Sequence, residues 1–170
     1  ELPFGRGRKY GANVSGVVNG FIGGWQLEGI YSYQSSRPIG FGNNGFFGDI
    51  NKIRIPRDQQ TVDHWFANTA AAGWVTSAAQ TIDTNTQLRY FPLRFGFIRW
   101  DPLNNFDLSA LKNVRIAEGK NAQFRFEAIN ALNHPNFNSP ATNATASNFG
   151  VVTAIQNYTR RLQMTFKFVF

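Results

Sequence analysis

The fold class is decided by the last eleven residues of this 170-residue chain, Arg160-Arg161-Leu162-Gln163-Met164-Thr165-Phe166-Lys167-Phe168-Val169-Phe170. Apolar and polar residues alternate along them, with Val169 as the exception. A period of two predicts a β-strand with two different faces. The apolar face carries Leu162, Met164, Phe166, Phe168 and Phe170. The length matches the roughly 9–11 residues that a tilted strand needs to cross a bilayer.

Three further segments, 25–36, 106–116 and 122–132, alternate in the same way and are predicted strands. Lys112 falls on the apolar face of the second segment. We therefore expect a β-bulge near Leu111, or a lysine that extends to the membrane interface. We predict that the apolar faces of all four segments contact lipid. The predicted contacts are Trp25, Leu27, Tyr31 and Tyr33 in the first of these three segments, Phe106 and Leu108 in the second, Phe124 and Phe126 in the third, and Leu162, Met164, Phe166 and Phe168 in the last segment of the chain.

The composition agrees with strands that have one polar and one apolar side. The chain contains 17 Phe, and aromatic residues make up 15% of it, whereas charged residues make up only 16%. The absence of cysteine excludes a disulfide scaffold and a Cys-ligated metal site. No segment contains the roughly 18 consecutive apolar residues that a transmembrane helix needs.

The connections between the predicted strands are very unequal in length. Residues 117–121 form a tight polar turn, whereas 37–105 and 133–158 are long. Short turns at one end and long loops at the other are typical of outer-membrane barrels, with the long loops extracellular. Residues 1–4 then end a preceding strand, 5–24 form a periplasmic connection with a short helix, and 159–170 form the last strand. A second short helix is predicted over 62–71.

Strands can span a bilayer only as a closed barrel, because lipid cannot satisfy unpaired backbone groups. A soluble antiparallel sheet with one wet face shows the same period. The aromatic residues at the apolar positions favour a membrane, since they suit headgroup depth. We therefore predict an all-β, antiparallel transmembrane barrel segment. Four strands are too few to close a barrel, so the chain must pair with the rest of its own barrel or with other copies.

Several stretches at both ends of the chain have a specific sequence in combination. They are Glu1-Leu2-Pro3-Phe4-Gly5-Arg6-Gly7-Arg8, Gly23-Gly24-Trp25-Gln26-Leu27-Glu28-Gly29-Ile30-Tyr31, Ser35 to Pro38, Phe106-Asp107-Leu108-Ser109, Phe124-Arg125-Phe126-Glu127-Ala128, Asn130-Ala131-Leu132-Asn133-His134-Pro135-Asn136-Phe137 and Asn148-Phe149-Gly150. These stretches resemble the C-terminal region of TonB-dependent receptors of the Oar-like kind, which carry a carboxypeptidase-regulatory-like domain. The resemblance does not cover the interior from about Phe41 to Asp101.

The resemblance implies a plugged barrel of the outer membrane that imports a large or scarce solute. It also implies energy coupling by a TonB-type protein, through parts that this sequence lacks. The terminal Phe170 resembles the signal that the barrel-assembly machinery reads. No cofactor is expected.

The long connection 37–105 holds aromatic residues that could stack on a ligand at the outer mouth of a receptor. The alternative is that these rings pack the connection against itself. The candidate contacts are Phe46, Phe47, Trp65, Trp74, Tyr90 and Phe91. Neither His64 nor His134 has a second ligand at a useful spacing, and no nucleophile motif is present, so we do not expect an enzyme.

Two other functions remain open at this point. Unpaired strand edges could let copies of the chain assemble into a filament or sheet. The formal charge of +7 could support a soluble sheet that binds single-stranded nucleic acid through Phe124 and Phe126. The basic residues are scattered, however, so we do not expect nucleic acid as a partner.

Overall fold

The computed structural model describes residues 1–77, 92 and 94–170. Within these residues the main elements are a helix, α1 (Gly16–Ile22), and six strands: β1 (Trp25–Gln34), β2 (Pro38–Ile39), β3 (Phe95–Arg99), β4 (Leu103–Ala117), β5 (Lys120–Ile129) and β6 (Arg161–Val169). None of the helices described is long and apolar enough to span a bilayer. The chain divides into two compact units.

The first unit, called the sheet unit, comprises Glu1–Tyr33, Asn104–Pro135 and Tyr158–Phe170. Its strands lie in the order β1-β4-β5-β6. The pairs β4–β5 and β5–β6 are antiparallel. β1 is also antiparallel to β4, because Gly24 lies against Asn113 and Gly29 against Phe106. Among the described residues the sheet is not closed, and β1 and β6 form its two edges.

The prediction of an antiparallel, mostly β chain is confirmed, and all four predicted strands are present. β4 and β5 are joined by the two residues Glu118 and Gly119. Gly119 has a φ of +74°, which glycine adopts without strain. The segment Glu1–Phe4 forms no strand in the structure, although the Leu2 amide donates to the Trp25 carbonyl at 2.9 Å.

Helix α1 lies within the connection where a short helix was predicted. The Ser15 side chain accepts a hydrogen bond from the Val18 amide at its start, and the helix ends before Gly23. The helix predicted over 62–71 is wrong, because Thr61 and His64 pair through their backbones there. The bulge near Leu111 is also wrong. Pairing with β5 is continuous from Leu108 to Arg115.

The second unit, called the loop unit, comprises Gln34–Leu103 and Asn136–Asn157. It is built around a core of aromatic rings. Phe41 contacts Phe66 and Trp74 with ring centroids 4.8 Å apart, and Phe95 at 5.2 Å. β2 and β3 form a small antiparallel pair beside this core. The buried members of the core are Ile39, Phe41, Phe46, Ile53, Trp65, Phe66, Trp74, Phe95, Ile98, Ala144, Phe149 and Val152.

Candidate functional site

One face of the sheet unit, called the aromatic face, consists almost entirely of apolar side chains. The strand register builds it, because opposite residues in paired strands point to the same side of a sheet. Phe124 pairs with Phe166, with ring centroids 4.8 Å apart, and Ala122 pairs with Phe168. These rings are not buried in a protein core, since Phe166 is 60% exposed and Phe168 is 44% exposed. Side chains of this kind need an apolar environment other than the protein interior.

β1 and β4 extend the aromatic face to the other edge of the sheet. Leu27, Tyr31 and Tyr33 on β1 are exposed. The Phe106 ring packs over Gly29, where a Cβ atom would lie 3.3 Å from the ring. All twelve residues predicted to contact lipid therefore lie on this face, with Trp25 and Phe106 half-buried. Contact with lipid itself stays a prediction.

The opposite face of the sheet unit is mostly polar. Glu28, Asp107, Arg125 and Glu127 line a hollow of about 350 Å³, together with apolar residues such as Ile30 and Ile129. Arg125 and Glu127 are 3.6 Å apart and form an ion pair. The Asp107 carboxylate accepts a hydrogen bond from the Asn130 amide at 2.8 Å. A face with these groups needs water, so the two sides of the sheet suit different solvents.

Lys112 interrupts the aromatic face, as its position in the sequence predicts. It is only 7% exposed, and its ammonium group donates to the carbonyls of Phe21, at 3.1 Å, and Gly23. The Lys112 nitrogen also lies 5.3 Å from the centre of a Trp25 ring, and Trp25 Nε1 donates to the Phe21 carbonyl. The charge is therefore paired with the carbonyls at the C-terminus of α1, where the helix dipole is negative. Lys112 fastens α1 to the aromatic face.

Phe170 lies at the end of the sheet that carries the β4–β5 turn, because Val169 pairs with Asn121. Phe170 is 92% exposed and lies just beyond β6, with its ring centroid 6.1 Å from that of Phe168. Its predicted role as an assembly signal stays a prediction.

The aromatic residues predicted to contact a ligand fall into three groups. Phe46, Trp65 and Trp74 are buried in the core of the loop unit, so their assignment as ligand contacts is corrected to one in packing. The indole nitrogens of the two tryptophans also have partners within the unit, since Trp65 donates to the Arg99 carbonyl and Trp74 to the Ala67 carbonyl. Phe47 is 78% exposed and stays a candidate. Tyr90 and Phe91 lie outside the described residues.

A positively charged hollow in the loop unit was not predicted. It measures about 150 Å³ and is lined by Arg54, Arg57 and Arg99 beside Phe97 and Trp100. The side chain of Arg99 is fixed by bonds to backbone carbonyls, and Arg57 lies 3.4 Å from the Asp101 carboxylate. Nothing in the sequence indicates that residues 54–57 approach 97–100. In the described part of the chain, no three His, Asp or Glu side chains cluster so as to hold a metal ion.

Comparison with protein families matches residues 1–163 to the family described as the outer membrane beta barrel domain. The chain belongs to this family. Its location is the outer membrane, and its antiparallel sheet is part of a β-barrel wall. No curated protein and no solved structure matches the chain.

Proposed function

We propose that the chain is part of a TonB-dependent receptor that imports a large or scarce solute and carries out no catalysis. The observation that supports this best is the sheet with an exposed aromatic face on one side and a polar face on the other. That arrangement suits a wall between hydrocarbon and a water-filled interior. The resemblance to Oar-like receptors at both ends of the chain supports the proposed role as a receptor.

The connections support the same proposal. One end of the sheet carries the two-residue turn at Glu118 and Gly119. The opposite strand ends are joined by residues 34–103 and 136–157, which build the loop unit. Outer-membrane barrels have short periplasmic turns and longer extracellular loops. The loop unit is therefore the proposed extracellular part.

The arginine-lined hollow provides the loop unit with a site that suits an anionic solute. Guanidinium groups bind carboxylates and phosphates through paired hydrogen bonds, and the neighbouring Trp100 ring can stack on a flat or sugar-like group. Titration with an oligogalacturonate should change the tryptophan fluorescence, whereas a neutral maltooligosaccharide should not. The double variant Arg54→Gln and Arg57→Gln should abolish the response. An equal response to both sugars would contradict the assignment of an anionic solute.

Closure of the barrel requires strands beyond the four described, since membrane barrels have at least about eight. The proposed partners of the β1 and β6 edges are other strands of the same protein. The reading frame upstream of Glu1 tests this directly. A plug domain followed by several hundred residues of alternating strands would support the receptor, and its energy coupling would then require a TonB-type protein. An upstream frame without either would contradict it.

The open edges of β1 and β6 also favour a second candidate, self-assembly into a filament or sheet. Electron microscopy of the native material separates the two. An ordered repeat of a 170-residue unit would support assembly of copies, whereas isolated barrels would support the receptor.

A further inference from the structure

Helix α1 has an apolar side that the described residues leave uncovered. Val17 and Phe21 lie one helical turn apart on this side, and they are 75% and 77% exposed. The opposite side is occupied: the Arg6 amide donates to Asn19 Oδ1 at 2.6 Å, and Gly11 lies against Ile22. The uncovered side is therefore a consequence of how the N-terminal segment packs on the helix.

The attachment of α1 places the end of the helix that carries Phe21 next to the aromatic face. Lys112 binds the last carbonyls of the helix and lies opposite Phe124 in the β4–β5 pair. The attachment lies toward the end of the sheet that carries the short turn, because Gly24 pairs with Asn113, near the end of β4. Phe21 therefore lies in the helical turn that contacts the aromatic face, and Val17 lies one turn farther along the helix.

The segment before α1 is basic and aromatic. Arg6, Arg8 and Lys9 are all exposed, and Glu1 is the only acidic residue among residues 1–24, so three positive and one negative side chains leave a net charge of +2. The rings of Phe4 and Tyr10 stack 5.5 Å apart and are about half exposed. Basic residues beside exposed aromatic and aliphatic residues are typical of segments that lie in the membrane interface.

We propose that residues 4–22 form an interfacial anchor that binds anionic phospholipids at the turn end of the barrel. Val17 and Phe21 insert at the boundary between headgroups and acyl chains, while Arg6 and Lys9 contact lipid phosphates. The outer-membrane location supplies the lipid, and the positive charge of the segment complements anionic headgroups. The inference depends on the proposed contact of the aromatic face with lipid.

Lys112 then has a defined role in the anchor. A lysine on the lipid side of a barrel strand costs about 2–4 kcal/mol at the bilayer midplane and about 0–1 kcal/mol near the interface. Its pairing with the carbonyls of Phe21 and Gly23 suits a position at headgroup depth. The same bonds hold the helix against the barrel wall. Lys112 therefore connects the proposed lipid-binding segment to the strands of the barrel.

Single cysteines with an environment-sensitive fluorophore test the insertion, since the chain contains no cysteine of its own. Val17→Cys and Phe21→Cys are compared with Phe166→Cys on the aromatic face and Thr165→Cys on the opposite face. The complete barrel protein that contains this chain, with any further cysteines replaced, is folded into vesicles of phosphatidylethanolamine and phosphatidylglycerol with brominated acyl chains. We expect most of the emission to be lost at positions 17, 21 and 166, and little at 165.

The outcomes separate the anchor from the barrel. Quenching at 166 without quenching at 17 and 21 would overturn the anchor and leave the proposed barrel wall intact. Absence of quenching at all four positions would overturn both. Burial of 17 and 21 in native envelopes but not in pure lipid vesicles would assign this side of α1 to a protein partner and overturn the lipid assignment.

A charge variant tests the headgroup contact. Arg6→Glu combined with Lys9→Glu should abolish the difference in quenching at position 21 between vesicles with and without phosphatidylglycerol. The matched control, Arg54→Glu with Arg57→Glu in the loop unit, should leave that difference unchanged. If the unaltered basic segment shows equal quenching in anionic and neutral vesicles, the assignment of phosphate contacts is wrong.

Discussion

The phenylalanines of the two units are in opposite environments although the residue type is the same. In the loop unit Phe66 is fully buried and Phe95 is 1% exposed, whereas in the sheet unit Phe166 and Phe170 are 60% and 92% exposed. Burial of a large apolar side chain stabilises a protein by about 1.5–3 kcal/mol relative to leaving it in water. The loop unit obtains this stabilisation from its own core, whereas the rings of the sheet require an external apolar phase.

The difference follows from how the two units are built. The loop unit surrounds its rings with chain from several directions, so that Phe66 contacts both Phe41 and Phe149. The sheet unit is a single layer of strands whose apolar side chains point away from the polar face. Aromatic content alone does not predict a core. Apolar and polar residues alternate with a period of two where the rings of the sheet unit are exposed, whereas the loop unit, whose rings are buried, lacks a regular period.

The largest expected effect comes from removing a ring from the loop unit. Phe66→Ala should lower the stability of this unit by about 3–5 kcal/mol, because it leaves a cavity in a packed core. Hydrogen exchange of the loop-unit amides measures the loss, and it should be the same in detergent and in lipid. Phe47→Ala, at an exposed position, should change the stability by no more than about 0.5 kcal/mol. Equal losses for the two variants would contradict the assigned core.

A charge on the aromatic face should have the next largest effect. In the complete barrel protein folded in vesicles, Phe166→Arg should lower the stability by about 2–4 kcal/mol if it lies near the bilayer midplane. Thr165→Arg, one residue away on the polar face, should have little effect. Urea titrations of the complete barrel protein in vesicles measure both variants. Similar losses of stability for the two arginine variants would mean that both faces of β6 contact the same solvent.

Replacement of the buried Lys112 tests how α1 is attached to the sheet. Lys112→Met removes two charge-assisted hydrogen bonds and should weaken the attachment of α1 by about 1.5–3 kcal/mol. The Gly23 amide, which donates to the Asn19 carbonyl, should exchange faster with solvent. Lys120→Met, at the exposed first residue of β5, serves as the control and should leave this amide unchanged. Unchanged exchange of the Gly23 amide in the Lys112 variant would contradict the role of Lys112 in holding α1 to the sheet.

The smallest effect is expected at the exposed N-terminal ion pair. The Arg8 guanidinium, with a smaller contribution from the hydrogen bond of Gln26, holds the pKa of the Glu1 carboxyl below its ordinary value. The stabilisation from this pair is complete above the ordinary pKa and is lost as the pH falls through the lowered one. Arg8→Gln should raise the pKa of Glu1, and Arg6→Gln should not. A carboxyl titration followed by NMR checks both, and an unchanged Glu1 midpoint in the Arg8 variant would contradict the pairing.

The strands were predictable because apolar and polar residues alternate along each of them, and this alternation places the apolar residues on one face of the sheet. The alternation along 122–132 and 160–170 fixes which residues share a face, and the register then brings Phe124 opposite Phe166. The short turn was predictable for the same reason, since Glu118 and Gly119 separate two alternating segments. Even the irregular position of Lys112 was apparent from the pattern.

The tertiary contacts were not predictable from local patterns. The carbonyls that receive Lys112 belong to residues about ninety positions earlier, and no periodicity links the two. The loop unit lacks a regular period, so Trp65 and Trp74 could not be divided in advance between core and ligand contact. The helix predicted over 62–71 was wrong because a backbone pair between Thr61 and His64 replaced it.

The most direct test of the account is a cysteine scan of β6 in the intact outer membrane with a water-soluble thiol reagent. Positions 162, 164, 166 and 168 should be protected, while 163, 165 and 167 should react through the aqueous interior. This period-two reactivity would show that the two sides of the strand face different solvents. Uniform reactivity along the strand, or protection of the odd positions instead, would contradict the assignment of the aromatic face to lipid.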